Sequence, residues 1–168
     1  MADSYSLYVI RHAIAAERGE QYPDDSKRPL TPRGMAKFKK VARGLVALDV
    51  EIDLILTSPL VRARQTADIL AGELRPAAKI VETPALAPGA SFQDLSAELG
   101  NHARHTAIAL VGHEPGIGEV AARLMGFKGS FEFRKGAVCR IDVDTLPPSG
   151  PGQLRWFASP KILSALHS

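Results

Sequence analysis

Two histidines and two arginines of this sequence stand directly after, or close behind, short apolar segments: Arg11, His12, Arg62 and His113. Apolar segments that stop abruptly at polar residues are typical of buried parallel strands. Because the carboxyl ends of parallel strands form the crevice in which ligands bind, we expect these four side chains to converge. Such a density of positive charge is costly unless an anion neutralises it, and guanidinium groups pair bidentately with phosphate oxygens. The pattern therefore predicts a site for a phosphoryl group.

The two histidines are predicted to have different roles in phosphoryl transfer. A neutral imidazole presents one nitrogen lone pair and can accept a phosphoryl group, so His12, beside Arg11, is the better nucleophile candidate. His113 precedes a predicted helix start, where backbone N–H groups and the helix dipole favour negative charge. We expect it to donate a hydrogen bond to the phosphoryl oxygens during transfer. A single histidine is more often structural, but the combination with Arg11 and Arg62 favours catalysis.

The elements that must position these residues alternate between strands and helices. Strand-like apolar segments cover residues 6–11, 54–56, 79–82, 106–111, 137–143 and 154–158. Helical patterns begin near residues 31, 60 and 91, and a further one ends near residue 125. This alternation predicts an α/β fold, a three-layer α/β/α sandwich whose central sheet is mainly parallel and allows an antiparallel pair at its end. No repeat or linker divides the sequence, so a single domain over residues 1–168 is expected.

The first helix has the clearest start signal and a two-sided pattern. Thr31 supplies a capping hydroxyl, and Pro32 occupies the first helical position. The apolar side chains that fall at helical spacing, and are predicted to face the core, are Met35, Phe38, Ala42, Leu45 and Val46. The basic side chains on the remaining surface, which are predicted to be solvated, are Lys37, Lys39, Lys40 and Arg43.

Composition narrows the classes of function. Apolar residues make up 45% of the sequence and charged residues 23%, and no apolar run approaches the roughly 20 residues of a membrane span. Residues 1–5 lack the basic-then-apolar profile of a signal peptide, so a cytoplasmic location is expected. Cys139 is the only cysteine, which excludes an intramolecular disulfide and a zinc–thiolate cluster. The net charge of +3 comes from scattered basic residues, so neither nucleic acid nor membrane is an expected partner.

Four motifs together resemble those of the histidine phosphatase superfamily, whose fold is phosphoglycerate-mutase-like. Arg11-His12-Ala13 resembles its Arg-His-Gly signature. The other three motifs, in the family's order, are the helix opening 30–34, the second arginine segment 58–67 and the second histidine segment 112–116. The resemblance implies that His12 is transiently phosphorylated and that Arg11, Arg62 and His113 bind the phosphoryl group. It also implies that water then releases phosphate, with no metal or cofactor.

Ala13 departs from the glycine that this family usually carries at the position. Its methyl group is expected either to narrow the floor of the pocket or to require a different backbone angle there. Because a methyl group is small, we expect activity to survive.

Within the superfamily, the short chain and segment 27–31 are most similar to the SixA-like phosphohistidine phosphatases. Hydrolysis of a phosphate ester expels an alkoxide, which usually needs a carboxylic acid to protonate it. Members that act on esters commonly carry a glutamate after the third strand, but residues 84–89 contain no acid. A protonated phosphohistidine instead leaves as neutral imidazole, whose conjugate acid has a pKa of roughly 6.5. The missing acid favours a phosphohistidine substrate, with Asp25, Glu82 and Asp94 as weak substitutes for the acid.

The pocket is expected to be open, because no insertion between the second helix and the strand before His113 is long enough to form a lid. An open pocket suits phosphohistidine presented by another protein, such as a histidine phosphotransfer domain. Arg28 is predicted to contact either the phosphoryl group or that partner. Two alternatives stay open, a phosphatase of small phosphate esters and a non-catalytic module that binds phosphorylated proteins. A phosphoglycerate mutase is disfavoured, and the sequence leaves the oligomeric state open.

Overall fold

Strands and helices alternate along most of the chain. The computed structural model describes residues 4–166, so most of the N-terminal segment used to predict the absence of a signal peptide lies outside the described residues. The strands are β1 (Tyr5–Arg11), β2 (Leu54–Thr57), β3 (Lys79–Glu82), β4 (Ala107–Gly112), β5 (Val138–Val143) and β6 (Gln153–Ala158). The α-helices are α1 (Pro32–Ala47), α2 (Val61–Glu73), α3 (Phe92–Gly100), α4 (Gly116–Leu124) and α5 (Pro160–Ala165). None of the helices in residues 4–166 is both long and apolar enough to cross a membrane.

These strands form one sheet in the order β3-β2-β4-β1-β5-β6. Neighbours among β3, β2, β4 and β1 are parallel, whereas β5 runs antiparallel to β1 and β6 antiparallel to β5. The register aligns the carboxyl ends of β1, β2 and β4. The residues that come next, His12, Ser58 and His113, therefore stand side by side at one edge of the sheet.

Helices cover both faces of the sheet. On one face, Tyr8 and Ile10 pack with buried residues of α1, α2 and α5. On the other face, Leu7 and Val9 pack with buried residues of α3 and α4. Because successive residues of a strand point to opposite faces, β1 contributes to both cores. The predicted three-layer α/β/α sandwich with a mainly parallel sheet is confirmed.

Two helices begin in the same way, with a hydroxyl cap followed by proline. The Thr31 hydroxyl accepts a hydrogen bond from the backbone N–H of Gly34 at 2.9 Å, as the predicted cap requires. The Ser159 hydroxyl accepts the N–H of Ile162 at 3.2 Å and begins α5. Helix α5 was not predicted from the sequence, because a helix of six residues is too short to produce a periodic apolar pattern.

The buried face of α1 is rotated from the predicted one. Phe38, Ala42 and Leu45 are buried as predicted, whereas Met35 and Val46 are 37% and 43% exposed. With 3.6 residues per turn, Met35 and Val46 lie about 80–100° around the helix from Leu45. The helix packs against α2 and α5 as well as the sheet, and this turns its apolar face away from those two residues. The prediction that Met35 and Val46 face the core is therefore wrong.

Candidate active site

A polar cleft of about 350 Å³ lies at the carboxyl edge of the sheet, and we call it the histidine cleft. The side chains that the sequence places in one site all line it: Arg11, His12, Arg28, Arg62 and His113. The ring centroids of His12 and His113 are 5.1 Å apart, and both residues are nearly buried, at 5% and 6% exposure. The fold thus brings the predicted residues together, while their chemical roles stay predictions.

The ring of His12 is held as a neutral imidazole with a defined tautomer. Its Nδ1 lies 2.7 Å from the carbonyl oxygen of Ala13. Since a carbonyl only accepts hydrogen bonds, Nδ1 carries the proton and Nε2 carries the lone pair. Burial lowers the pKa of His12 to about 3. The hydrogen bond to Ala13 raises the pKa, but the positive charges of Arg62 and Arg11 lower it further. At pH 7 the ring is therefore a potential nucleophile through Nε2.

Ser58, which was not predicted as a site residue, orients the second histidine. It is fully buried, and its Oγ lies 2.8 Å from His113 Nε2. Among the described residues this oxygen has one other partner, the backbone N–H of Leu60 at 3.2 Å, which is a donor; His113 Nε2 is therefore the acceptor for the buried hydroxyl proton. His113 is neutral, because burial and the neighbouring Arg62 lower its pKa to about 4. Its one proton then sits on Nδ1, which becomes a hydrogen-bond donor.

Three buried side-chain nitrogens among the described residues have no hydrogen-bond partner, and all three belong to residues of the histidine cleft. They are Arg11 Nε, Arg62 Nε and His113 Nδ1. A buried donor left without a partner costs about 1–3 kcal/mol, so such donors usually serve a ligand. Arg11 is held in place by a bond from its Nη1 to the carbonyl of Phe133 at 2.7 Å. Three donors beside a neutral imidazole match the three oxygens of a phosphoryl group.

Asp25 ties two guanidinium groups together in the wall of the cleft. Its carboxylate accepts hydrogen bonds from Arg62 at 2.9 Å and from Arg28 at 3.1 Å, and its backbone carbonyl accepts another from Arg62 at 2.8 Å. Burial opposes the ionisation of Asp25, but these hydrogen bonds outweigh it and lower the carboxyl pKa. Arg28 is only 6% exposed and also donates to the carbonyl of Ala16 at 2.7 Å. It is therefore part of the cleft wall rather than of an exposed surface.

Of the three acids considered as proton donors, only Asp25 lines the histidine cleft. Glu82 ends β3 and pairs with Arg64 at 3.0 Å, while Asp94 lies in the first turn of α3. The suggestion that Glu82 or Asp94 replaces the missing acid is therefore wrong, because neither side chain lines the cleft. Arg64 also pairs with Asp68 at 3.1 Å and does not line the histidine cleft.

Ala13 fits without narrowing the histidine cleft. Its N–H donates to the Thr66 hydroxyl at 3.1 Å, and its side chain packs in the core that α1 and α2 cover. It does not line the cleft. Among the described residues, Asp49 is the only non-glycine residue with a positive φ, so Ala13 adopts an ordinary backbone angle. The alanine changes neither the shape of the cleft nor the strain of the backbone.

Lys135, in the loop before β5, also lines the histidine cleft and was not predicted. Partial burial and the guanidiniums of Arg11 and Arg28 lower the pKa of its ammonium group. No motif marks this lysine in the sequence, because its place depends on how the antiparallel strand β5 pairs with β1. A fifth cation thus accompanies the four arginines that line the cleft, Arg11, Arg18, Arg28 and Arg62.

The neutral histidines predict a loss of stability in mild acid. An unfolded histidine has a pKa near 6.5, whereas folding lowers the values of His12 and His113 to about 3 and about 4. Between these limits the unfolded chain binds protons that the folded chain does not. The free energy of unfolding therefore falls as the pH drops below 6.5, by up to about 1.4 kcal/mol per pH unit for each histidine, and levels off below the folded values.

Urea unfolding between about pH 7 and about pH 5 measures this dependence. His12→Ala and His113→Ala are each expected to show a shallower slope than the unsubstituted protein. The same slope in all three proteins would contradict the neutral state of the buried rings.

Comparison with known proteins points to one family. The model of the histidine phosphatase superfamily (branch 1) matches residues 7–88. An uncharacterized protein of Picosynechococcus is 45% identical over 118 residues, which cover 68% of this chain and 70% of that protein. Phosphohistidine phosphatase SixA of Escherichia coli is 29% identical over 156 residues, which cover 92% of this chain and 93% of SixA.

A solved structure agrees with this relationship. The protein histidine phosphatase SixA complexed with tungstate has a TM-score of 0.83 to this chain at 27% identity, with 94% of this chain and 99% of that one covered. The family-model match contains Arg11, His12 and Arg62, while His113 follows it in the chain and reaches the site at the end of β4.

Proposed function

Because the chain belongs to the histidine phosphatase superfamily, we propose that it is a phosphatase in which His12 attacks a phosphohistidine carried by another protein. The observation that carries the proposal is the neutral imidazole of His12 beside three buried donors without partners. The proposed reaction uses no metal and no cofactor, and a single domain over residues 1–168 carries it.

In the first step, His12 Nε2 donates its lone pair to phosphorus while the bond from phosphorus to the substrate nitrogen breaks in line. The three phosphoryl oxygens accept hydrogen bonds from Arg11 Nε, Arg62 Nε and His113 Nδ1. The substrate imidazole, protonated on its other nitrogen, takes the bonding pair and leaves as a neutral ring. Donors that are already in position stabilise the charge of the transition state without reorganisation.

In the second step, water releases the phosphoryl group from His12. The water oxygen bonds to phosphorus, the bond from phosphorus to Nε2 breaks, and the imidazole regains its lone pair. One water proton passes to phosphate or to solvent, so the protein ends the cycle in its starting protonation state. The same arginine and histidine donors hold the phosphoryl oxygens in both steps.

Asp25 supports a nitrogen–phosphorus substrate over a phosphate ester. Of the three acids considered as proton donors it alone lines the cleft, beside Glu17 and Glu114, and Arg62 and Arg28 keep it ionised. An ionised carboxylate has no proton to give to a departing alkoxide. A neutral imidazole leaving group needs no such proton, so the ionised Asp25 does not hinder its departure.

A peptide phosphorylated on histidine is expected to be hydrolysed at least about 100-fold faster, in kcat/KM, than the same peptide carrying phosphoserine. The reason is that Asp25, whose carboxyl pKa is lowered by Arg62 and Arg28, has no proton to give to the serine alkoxide. Phosphate release from the two matched peptides measures the ratio. A preference for phosphoserine by orders of magnitude would refute the substrate class but leave the role of His12 standing.

Two other functions remain distinguishable from the proposed one. A phosphatase of small phosphate esters would show the reverse substrate preference. A non-catalytic module for phosphorylated proteins would bind phosphohistidine peptides without releasing phosphate, and it would tolerate the loss of His12.

A further inference from the structure

A second and larger cleft, of about 680 Å³, lies between α1, α5 and the loop before β5. Its lining includes the apolar residues Ala13, Phe38, Val41 and Pro160. Phe38 and Val41 are each about 1% exposed, so their side chains form the inner wall of the cleft. The volume is in the range of clefts that take a ligand or several side chains of a partner, about 300–1,000 Å³.

Basic side chains surround this apolar wall. They are Lys37, Lys40, Arg134, Lys135 and Lys161, and all are exposed. None of the described residues that line the cleft is an aspartate or a glutamate. Within residues 4–166, none of these cations forms an ion pair with a carboxylate. We call this surface the basic cleft.

Two other basic residues of α1 have a different environment. Lys39 and Arg43 pair with Glu73 of α2 at 3.9 Å and 3.3 Å. Lys37 and Lys40 instead line the basic cleft. The sequence predicts one basic face of α1 that is uniformly solvated, but the structure divides this face in two. Lys39 and Arg43 have Glu73 as a counter-charge, whereas Lys37 and Lys40 line the basic cleft and form no ion pair with a carboxylate of the described residues.

The basic cleft adjoins the histidine cleft. Lys135 lines both of them, and Ala13, in the wall of the basic cleft, directly follows His12. A protein that inserts a phosphorylated side chain into the histidine cleft would therefore place part of its neighbouring surface over the basic cleft.

We propose that the basic cleft is the docking surface for the phosphoprotein substrate and that it takes an acidic segment with apolar side chains. The apolar side chains enter the cleft, while the carboxylates lie against the surrounding lysines. This inference rests on the proposed function and adds to it the chemistry of the partner surface next to the phosphohistidine.

Charge complementarity is the reason to expect an acidic partner. Like charges clustered on one surface repel one another, and opposite charges on a partner relieve that repulsion and speed encounter. The apolar wall favours a partner that also buries hydrocarbon, since covering apolar surface is itself favourable. An inorganic anion supplies the negative charge but has no hydrocarbon to cover the apolar wall.

Matched peptides test the proposal. The first is a phosphohistidine peptide flanked by several glutamates and leucines, and the second replaces each glutamate with glutamine. The acidic peptide is expected to have a kcat/KM about tenfold higher at low salt, through a lower KM, with the advantage lost at high salt. Phosphoramidate serves as a minimal substrate that cannot reach the basic cleft.

The variant Lys37→Gln/Lys40→Gln/Lys161→Gln changes the basic cleft without touching a residue of the histidine cleft. It is expected to hydrolyse both peptides equally well and to keep the phosphoramidate rate within about twofold. A control variant, Lys39→Gln/Lys79→Gln, removes exposed lysines elsewhere and is expected to retain the preference for the acidic peptide.

Fluorescence anisotropy with the unphosphorylated peptides separates docking from catalysis. Tighter binding of the acidic peptide, lost in the variant that lacks Lys37, Lys40 and Lys161, supports docking even if no substrate is turned over. Equal binding of both peptides to the unsubstituted protein would overturn the docking proposal. Failure to hydrolyse phosphoramidate and both phosphohistidine peptides would instead overturn the proposed function.

Discussion

His12→Ala is expected to slow phosphate release by at least about 10⁴-fold, because it removes the lone pair that we propose attacks phosphorus, while the donors of Arg11, Arg62 and His113 remain. The fold is expected to survive. The side chain is neutral at pH 7, and the hydrogen bond it makes goes to the carbonyl of the adjacent Ala13. Phosphate release from a phosphohistidine peptide and the thermal unfolding midpoint measure the two effects separately.

A histidine outside the cleft provides the matched control. Nδ1 of His105 lies 3.5 Å from Oδ1 of Asp53, and His105 does not line the histidine cleft. His105→Ala is expected to keep the rate within about twofold. Turnover by His12→Ala at the rate of the His105→Ala control would rule out His12 as the nucleophile. Retained binding of a phosphohistidine peptide by His12→Ala, without turnover, is the expected accompanying result.

Arg62→Ala is expected to lower kcat/KM by about 10²–10³-fold, because it removes one of the donors that we propose stabilise the developing phosphoryl charge. The guanidinium is 3% exposed, and Asp25 holds two of its nitrogens, so its Nε is fixed in place. Arg62→Lys is expected to recover only a small part of the loss, since an ammonium group cannot reproduce the planar fork. Steady-state kinetics with a phosphohistidine peptide, together with the affinity for tungstate, measure the effect.

Arg64 supplies the control on the same helix. It lies two residues further along α2 and pairs with Asp68 and Glu82 outside the cleft. Arg64→Ala is therefore expected to change kcat/KM by no more than about twofold. Comparable losses in Arg62→Ala and Arg64→Ala would mean that general positive charge, rather than a placed donor, supports the reaction.

The positions of His12 and His113 could be predicted from the sequence, because each directly follows an apolar strand and parallel strands end at the same edge. Arg62 could be predicted for the same reason, as the second residue of the helix that follows β2. In each case a local pattern decides where the residue lies. The same patterns predicted the three-layer architecture and all six of the strands found in residues 4–166.

Ser58, Asp25 and Lys135 illustrate what the local pattern does not contain. Ser58 acquires a role only because β2 and β4 are neighbours, which brings its hydroxyl to His113. Asp25 accepts hydrogen bonds from two arginines, Arg28 and Arg62, because the loop before α1 folds over α2. Lys135 reaches two clefts through the pairing of β5 with β1. These placements depend on contacts between distant segments, which a single sequence does not specify.

The most direct test of His12 as phosphoryl acceptor is to mix the protein with a phosphohistidine peptide labelled on phosphorus and to quench the reaction in alkali within one turnover. Alkali preserves phosphohistidine, so the labelled residue can be located by mass spectrometry. The expected result is label on the ring of His12, present in the unsubstituted protein and absent from His12→Ala. Label on a different side chain, or label that persists in His12→Ala, would contradict the mechanism.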